Sequence, residues 1–263
     1  MTIAEILAEN TLTMLERELI LSHVLKQERT WLIAHTDKTL EPSMIEAYRI
    51  LVKRRRTHEP IAFILGEKEF YGRTFKVNEH TLIPRPSTEG LIDLVFDFLE
   101  TQETCVREVD TGIVCIAQKL GDLKDVQTIV DVGTGSGCIA ITLACELPKY
   151  EFIATDVSDD ALKIAKENAI EHEVDDRIVF RNGDGLAPVI DITIPFLLVS
   201  NPPYIPDGEP LPKEVDNFEP NKALYAGKDG LDVLMPMIAD AHKNTYCRGY
   251  VIECRREQVS SLL

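Results

Sequence analysis

From residue 127 onward, short apolar runs alternate with stretches of helical periodicity. Strands that are apolar throughout are typical of a parallel sheet covered by helices on both faces. The sequence therefore predicts an α/β fold with a doubly wound, mainly parallel sheet. The predicted strands lie at 127–132, 151–155, 177–180, 196–200 and 249–253.

The helices between these strands carry end signals. The helix after the first strand is expected to end before Pro148, because proline cannot continue it. Ser158 is placed to cap the next helix, and Asp159 and Asp160 lie in its first turn, where negative charge is favourable. These signals support the alternation of strands and helices.

The residues before the sheet have a different character. Residues 1–60 show apolar positions at helical spacing and predict a small helical domain. Residues 61–86 place aromatic side chains between glycines and end in a proline-rich segment, which predicts a β-hairpin linker. Residues 87–263 then form the α/β domain. Within it, residues 101–126 show no clear pattern and are interpreted as an insertion.

Charge restricts the class of partner. The 263 residues carry a formal net charge of −16, whereas proteins that grip a nucleic-acid backbone usually have a basic surface. The cationic run at 53–56 suits the solvated end of a helix, with docking of a partner as the alternative. No direct nucleic-acid partner is expected.

Targeting and metal-binding signals are missing from the sequence. The N-terminus lacks the pattern of a signal or transit peptide, and no apolar run is long enough to cross a membrane, so a cytoplasmic protein without a membrane partner is expected. The six cysteines form no CxxC pair and the histidines are scattered. This predicts reduced, mostly buried thiols and no metal site.

The first predicted strand ends in a glycine-rich turn. Its spacing is Asp-x-Gly-x-Gly-x-Gly, and its residues are Asp131, Gly133, Thr134, Gly135, Ser136 and Gly137. Glycines let a turn approach a ligand closely, and the following helix offers unpaired N–H groups at its N-terminus. The spacing differs from the dinucleotide pattern GxGxxG and resembles the nucleoside loop of class I methyltransferases. A tight turn without a ligand is the alternative.

Acidic residues follow the second and third strands. Asp156 is placed to accept hydrogen bonds from both ribose hydroxyls of an adenosine ligand. Asp184 is placed to accept one from the adenine amine, with Gly185 letting the base lie close. A turn that binds no ligand is the alternative for Asp184. Ligands of such sheets bind outside the carboxyl ends of the strands, where these residues are expected.

The fourth strand runs into Asn201, Pro202, Pro203 and Tyr204. The prolines stiffen the backbone, so that the Asn201 side-chain oxygen and the Pro202 carbonyl can aim at one point. Two acceptors suit the two hydrogens of an NH₂ group, and Tyr204 can stack on the planar group that bears it. The box alone specifies an NH₂ group on a planar group. Together with the glycine-rich turn, which resembles the methyltransferase nucleoside loop, it predicts methylation of a planar amide or amine.

The order of these motifs resembles the HemK/PrmC family, the glutamine N5-methyltransferases that modify peptide-chain release factors. The resemblance runs nearly end to end, and its narrowest blocks are Leu-Ile-Pro-Arg-Pro-Ser-Thr-Glu at 82–89 and the segment 214–232. Ser87 stands where the family usually has an acid, and His58 where it usually has glycine.

This resemblance implies methyl transfer from S-adenosyl-L-methionine, with S-adenosyl-L-homocysteine as product, to a glutamine in a loop of a release factor. It implies that the helical domain docks this protein substrate. The catalytic residues would be Asn201, Pro202 and Tyr204, and Pro203 would join them in binding the substrate. The cofactor would be bound by Asp131, Gly133, Thr134, Gly135, Ser136, Gly137, Asp156, Asp184, Gly185 and Asn201.

The resemblance also implies a sixth and a seventh strand, the latter antiparallel. Because the fifth predicted strand lies near the end of the sequence, we expect either incomplete C-terminal strands or a sheet that is completed differently.

Other functions share parts of this pattern. An exocyclic amine of a nucleic-acid base would suit the same box of acceptors, but the acidic composition disfavours it. A glutamine of a ribosomal protein is a second alternative substrate, and the segment 85–89 favours the release-factor branch. A module that binds the nucleoside without catalysis is a third alternative.

Overall fold

The computed structural model of the chain describes residues 1–9 and 12–263. Residues 10 and 11 of the predicted helical domain lie outside this described part. The chain divides into two compact units. The first is Met1–Glu67 with Leu211–Phe218, and the second is Lys68–Pro210 with Glu219–Leu263.

The regular elements are numbered in chain order. The helices are α1 (Ile3–Leu7), α2 (Met14–Leu25), α3 (Arg29–Ala34), α4 (Pro42–Arg56), α5 (Ile61–Leu65), α6 (Pro86–Thr101), α7 (Cys138–Glu146), α8 (Asp159–Glu171), α9 (Lys213–Asp216), α10 (Leu234–Lys243) and α11 (Val259–Leu262). The strands are β1 (Glu67–Phe70), β2 (Arg73–Lys76), β3 (Cys105–Asp110), β4 (Ile113–Lys119), β5 (Thr128–Val132), β6 (Glu151–Asp156), β7 (Ile178–Asn182), β8 (Phe196–Ser200) and β9 (Cys247–Arg255).

The first unit is helical, as the spacing of its apolar residues predicts. Thr2 caps α1 and Thr13 caps α2, each paired with a glutamate three residues later, so that both helices begin at a capping box. Its core is formed by the apolar faces of these helices with α3 and α4, including Ile20, Leu32 and Tyr48. Residues 61–65, predicted as part of the hairpin linker, form helix α5 instead.

The cationic run at 53–56 occupies the last turn of α4, where positive charge is favourable. Arg55 does not extend into solvent as a free cation. Its guanidinium group pairs with Glu16 at 2.7 Å and Glu214 at 2.9 Å. The run therefore helps to hold the first unit together.

The second unit is built on a sheet that has seven strands within the described residues, in the order β3-β4-β9-β8-β5-β6-β7. Strands β5 to β9 are mutually parallel and correspond to the five predicted strands. Helices pack on both faces and enclose two apolar cores. The predicted α/β class and doubly wound architecture are confirmed, and Ser158 caps α8 as predicted.

The interpretation of residues 101–126 as an insertion is wrong. They contain β3 and β4, an antiparallel hairpin that adds to the sheet beside β9. Val114, Ile116 and Ala117 of β4 are fully buried, and Ile116 lies opposite Ile252 of β9. In the described part of the chain, the strands beside β9 therefore precede β5 in the sequence.

The hairpin packs closely against its neighbours. A Cβ atom added to Gly249 of β9 would lie 2.7 Å from the Gln118 carbonyl oxygen of β4. One added to Gly90 of α6 would lie 2.5 Å from a methyl group of Val109 in β3. Both glycines are therefore required by close approach of the hairpin.

A second, smaller hairpin joins β1 and β2, as predicted for this region. Tyr71 and Gly72 form its turn, both with positive φ, which matches the twist of a tight hairpin. Phe70 and Phe75 are buried in the core of the second unit. Among the described residues, no helix has the length and apolar character needed to cross a membrane.

Candidate active site

A cavity of about 400 Å³ lies at the carboxyl ends of the parallel strands of the second unit. The predicted site residues that line it are Gly133, Gly135, Asp156, Asp184, Gly185, Asn201, Pro202 and Pro203. They come from the ends of β5, β6, β7 and β8, because parallel strands bring their carboxyl ends to one edge of the sheet. The cavity is also lined by Glu79, His80 and Lys222, which the sequence interpretation did not include.

The glycine-rich turn connects β5 to α7. Gly133, Gly135 and Gly137 have φ values of 73°, 56° and 83°, a region that residues with a side chain rarely adopt. At Gly137, the residue that caps the N-terminus of α7, an added Cβ would lie 2.7 Å from Ile141 and 3.2 Å from Ala165 of α8. The three glycines thus permit the turn itself and, at Gly137, the close packing of α7 and α8.

Asp131 lies beneath this turn and is fully buried. Its Oδ2 accepts hydrogen bonds from the Thr134 hydroxyl at 2.6 Å and the Ala140 amide at 3.2 Å. Burial raises the pKa of this carboxyl group to about 7, against those two hydrogen bonds. Within the described chain, Asp131, Thr134, Ser136 and Gly137 are not part of the cavity lining, so their geometry fits support of the turn.

Asp156 links the glycine-rich turn to β6. Its Oδ2 accepts from the Gly135 amide and its Oδ1 from the Ser158 amide, both at 2.9 Å. Each carboxylate oxygen has a second lone pair that these amides do not use. Asp156 also lines the cavity. Burial raises its pKa, although the backbone amides oppose the shift. The carboxylate can therefore accept two further hydrogen bonds from a ligand diol.

The third part of the cavity follows β7. Asp184 and Gly185 line it, and Gly185 has a φ of 51°. Val157 lines the same region with an exposed apolar side chain. A carboxylate beside an apolar surface suits a planar base that carries an amino group.

The end of β8 holds the predicted acceptor box. Ser200 anchors it through a hydrogen bond from its hydroxyl to the Val132 carbonyl at 2.7 Å. The Asn201 side-chain nitrogen donates to the Thr88 hydroxyl at 2.9 Å. Its oxygen is then free to accept a hydrogen bond from a ligand. Pro202 and Pro203 line the cavity beside it.

Tyr204 points elsewhere than the sequence suggests. Its hydroxyl donates to Glu253 Oε1 at 3.0 Å, and the ring packs against the core of the second unit. Burial raises the pKa of the Tyr204 hydroxyl, and the negative charge of Glu253 adds to the shift. Tyr204 is not part of the cavity lining in the described residues.

Thr88 and Glu253 are functional candidates that the sequence interpretation missed. Thr88 lies in the first turn of α6, within the segment 82–89 that carries the family resemblance. Glu253 is an acid near the end of an apolar strand, and that placement is the signal by which it could have been found.

The segment before α6 is held by buried Glu219, which accepts from the Ile83 amide at 3.0 Å and from Arg85 at 2.6 Å.

Comparisons with known proteins agree with this architecture. The PrmC N-terminal domain matches residues 3–66, and the methyltransferase small domain matches residues 104–217. The catalytic domain of hMettl16 in complex with MAT2A 3'UTR hairpin 1 has a TM-score of 0.53 and 17% identity, covering 81% of this chain and 79% of that one. At this identity the likeness shows the class I methyltransferase fold alone.

Sequence relatives are more informative. The bifunctional methyltransferase of Rickettsia typhi is 40% identical over 90% of this chain, which spans 45% of that relative's length. Release factor glutamine methyltransferases of Chlorobaculum tepidum and Nitratidesulfovibrio vulgaris are 42% and 39% identical over 81% and 86% of this chain. The matches cover 68% and 70% of those proteins. The chain belongs to the family of release factor glutamine methyltransferases.

Proposed function

We propose that the chain transfers the methyl group of S-adenosyl-L-methionine to the side-chain amide N5 of a glutamine in a peptide-chain release factor. The single observation that carries this proposal is the orientation of Asn201. Its nitrogen is held by Thr88, and its oxygen is left as an acceptor at the cavity.

The cavity fits the proposed cofactor in its donors and acceptors. Asp156 has lone pairs available for the two ribose hydroxyls, and Asp184 has a carboxylate for the adenine amine. The glycine-rich turn has no side chains at Gly133 and Gly135, so a ligand can approach the backbone. When bound, S-adenosyl-L-methionine supplies an electrophilic methyl group, and S-adenosyl-L-homocysteine is left after its transfer.

The task of the residues is to orient a poor nucleophile. An amide nitrogen holds its lone pair in conjugation with the carbonyl group. Asn201 Oδ1 and the Pro202 carbonyl would accept its two hydrogens and turn the lone pair toward the methyl group. The same acceptors would stabilise the positive charge that develops on nitrogen during transfer. The methylated amide is then acidic enough to release a proton without a strong base.

Other roles in the proposal follow from the family resemblance. Pro203 would keep the acceptor box rigid, and Tyr204, anchored on Glu253, would support the box from behind rather than contact the substrate amide. The helical unit would dock the release factor, and the reaction would take place in the cytoplasm. The formal net charge of −16 favours a protein substrate over a nucleic acid.

The test is the variant Asn201→Ala, assayed with purified release factor and followed by mass spectrometry of the glutamine. Loss of an acceptor used in the transition state is expected to lower kcat by about a hundredfold or more. Binding of S-adenosyl-L-homocysteine, measured by calorimetry, serves as the control for an intact site. Near-normal turnover would contradict the assignment.

Wild-type protein should also be incubated with a ribosomal-protein mixture and with DNA and RNA. Methylation of one of these instead of the release factor would overturn the proposed substrate. Binding of the cofactor without transfer to any of them would support a module that binds the nucleoside without catalysis.

A further inference from the structure

Glu253 is a buried carboxyl group behind the acceptor box that the proposed chemistry does not use. It is fully buried in β9, and its Oε1 accepts the Tyr204 hydroxyl at 3.0 Å. Its Oε2 is buried and makes no well-aligned hydrogen bond to any described group. A buried carboxylate oxygen that lacks a well-formed hydrogen bond is costly, which calls for a functional reason.

Two polar side chains of the site lie beside this carboxyl group. The Thr88 hydroxyl and the Asn201 amide are close enough to lower the pKa of Glu253 by hydrogen bonding. Thr88 is itself buried and accepts from the Asn201 nitrogen at 2.9 Å. Glu253, Thr88 and Asn201 therefore form one polar cluster that ends at the cavity.

The direction of hydrogen bonding in this cluster decides what Asn201 presents to a substrate. A hydroxyl group both donates and accepts, so Thr88 alone is compatible with either end of the Asn201 amide. An ionised carboxyl group can only accept. If the Thr88 hydroxyl gives its hydrogen to the carboxylate, it can only accept from Asn201, as it does at 2.9 Å. The Asn201 nitrogen is then held on Thr88, and its oxygen is left for the cavity.

We infer that Glu253, acting with Thr88, is a positioning residue that keeps the Asn201 amide oxygen directed at the substrate nitrogen. This inference rests on the proposed function. Without the carboxylate, the Asn201 amide can turn over and present its NH₂ group to the cavity. A donor would then face the substrate NH₂ group, and only the Pro202 carbonyl would remain to orient the nitrogen lone pair.

The charged and titratable neighbours of Glu253 come from several elements. Arg85, before α6, lowers its pKa, and Tyr204 stabilises its ionised form through a hydrogen bond. Cys115 of β4 lies opposite Glu253, and Cys254 is its neighbour in β9. Burial outweighs the favourable contacts and raises the pKa of Glu253 to about 7. The orienting carboxylate is therefore lost as the pH falls through about 7.

The experiment replaces the carboxyl group with an amide of the same shape. Glu253→Gln introduces a donor, so its kcat is expected to fall by about tenfold to a hundredfold, while KM for the cofactor stays unchanged. Thr88→Val is expected to lose about as much, and Thr88→Ser to recover most of the activity because it restores the hydroxyl group. Glu257→Gln is the matched control, since Glu257 is exposed and its side chain retains 69% of its accessible surface.

The pH profile separates orientation from a merely structural role. For the wild type, kcat is expected to rise with pH through about 7, whereas for Glu253→Gln it should lack that step. A wild-type kcat and an unchanged pH profile in Glu253→Gln would overturn the inference while leaving the proposed function intact.

A second measurement does not depend on turnover. The side-chain NH₂ signals of Asn201 in an isotope-labelled protein report its hydrogen bond to Thr88. They are expected to exchange slowly with water in the wild type and faster by about tenfold or more in Thr88→Val and Glu253→Gln. Identical exchange in all three proteins would overturn the inference, whether or not the wild type methylates a release factor. Failure of the wild type to methylate any release factor would by itself reject only the proposed function.

Discussion

Cys115 of β4 lies directly opposite Glu253 of β9 in the antiparallel register of the sheet. The hairpin of β3 and β4, which the sequence analysis did not predict, thus packs beside the buried carboxyl group behind the candidate site. Strand β4 excludes water from the Glu253 carboxyl group, and this burial is one reason why the pKa of Glu253 is raised. The edge of the sheet and the chemistry of the site are therefore connected.

The hairpin is expected to behave as part of the core. Ile116→Ala should lower the free energy of unfolding by about 2–4 kcal/mol, because this side chain of β4 is fully buried in the apolar core. Val106→Ala, on edge strand β3 and 43% exposed, should lower it by less than about 1 kcal/mol. Urea denaturation measures both. Small, equal losses would contradict the burial of β4.

Asp156 is expected to determine the affinity for the nucleoside. Asp156→Ala removes the proposed ribose acceptor and the partner of the Gly135 amide, so the Kd for S-adenosyl-L-homocysteine should rise by about tenfold or more. Asp160→Ala is a matched control in the next helix, where the acid is exposed and pairs with Lys163. Calorimetry measures both Kd values, and equal affinities of the two variants for S-adenosyl-L-homocysteine would reject the ribose role.

Asp184 is expected to recognise the adenine amine. Asp184→Ala should weaken binding of S-adenosyl-L-homocysteine by about tenfold to a hundredfold, the usual cost of one hydrogen bond to a charged group. The same variant should bind the inosine analogue, which lacks that amine, as well as the wild type does. Asp191→Ala provides the control, because this acid pairs with Arg181. An equal loss of affinity for both ligands would show that Asp184 supports the turn and does not bind the adenine amine.

Glu253 is expected to make stability depend on pH. Burial raises its pKa from an ordinary value of 4.5 to about 7, so the folded protein binds this proton more tightly than the unfolded chain does. The stability that this proton contributes is complete below about 4.5 and is lost as the pH rises through about 7.

Glu253→Gln should therefore match the wild type near pH 4.5 and exceed its free energy of unfolding by up to about 3 kcal/mol above pH 7. Denaturant titrations at several pH values measure the difference, with Glu257→Gln as the control. A difference that is constant across the pH range would show that the carboxyl group does not titrate as described.

The sequence alone determined the parallel part of the fold and which strand ends contribute polar residues to the cavity. Apolar runs, proline and Ser158 are local signals, and parallel strands necessarily bring their carboxyl ends together. For that reason the sequence predicts that residues after four separate strands, such as Asp156 and Asn201, lie at one edge of the sheet, where they line the cavity.

Only the tertiary structure decided the edge of the sheet and the polar cluster behind Asn201. Strand β4 is paired with a strand far along the chain, and its local pattern does not reveal that partner. Thr88 and Asn201 are separated by 113 residues, yet they share a hydrogen bond. The raised pKa values of Asp131 and Glu253 likewise depend on burial, which arises only when distant segments pack together.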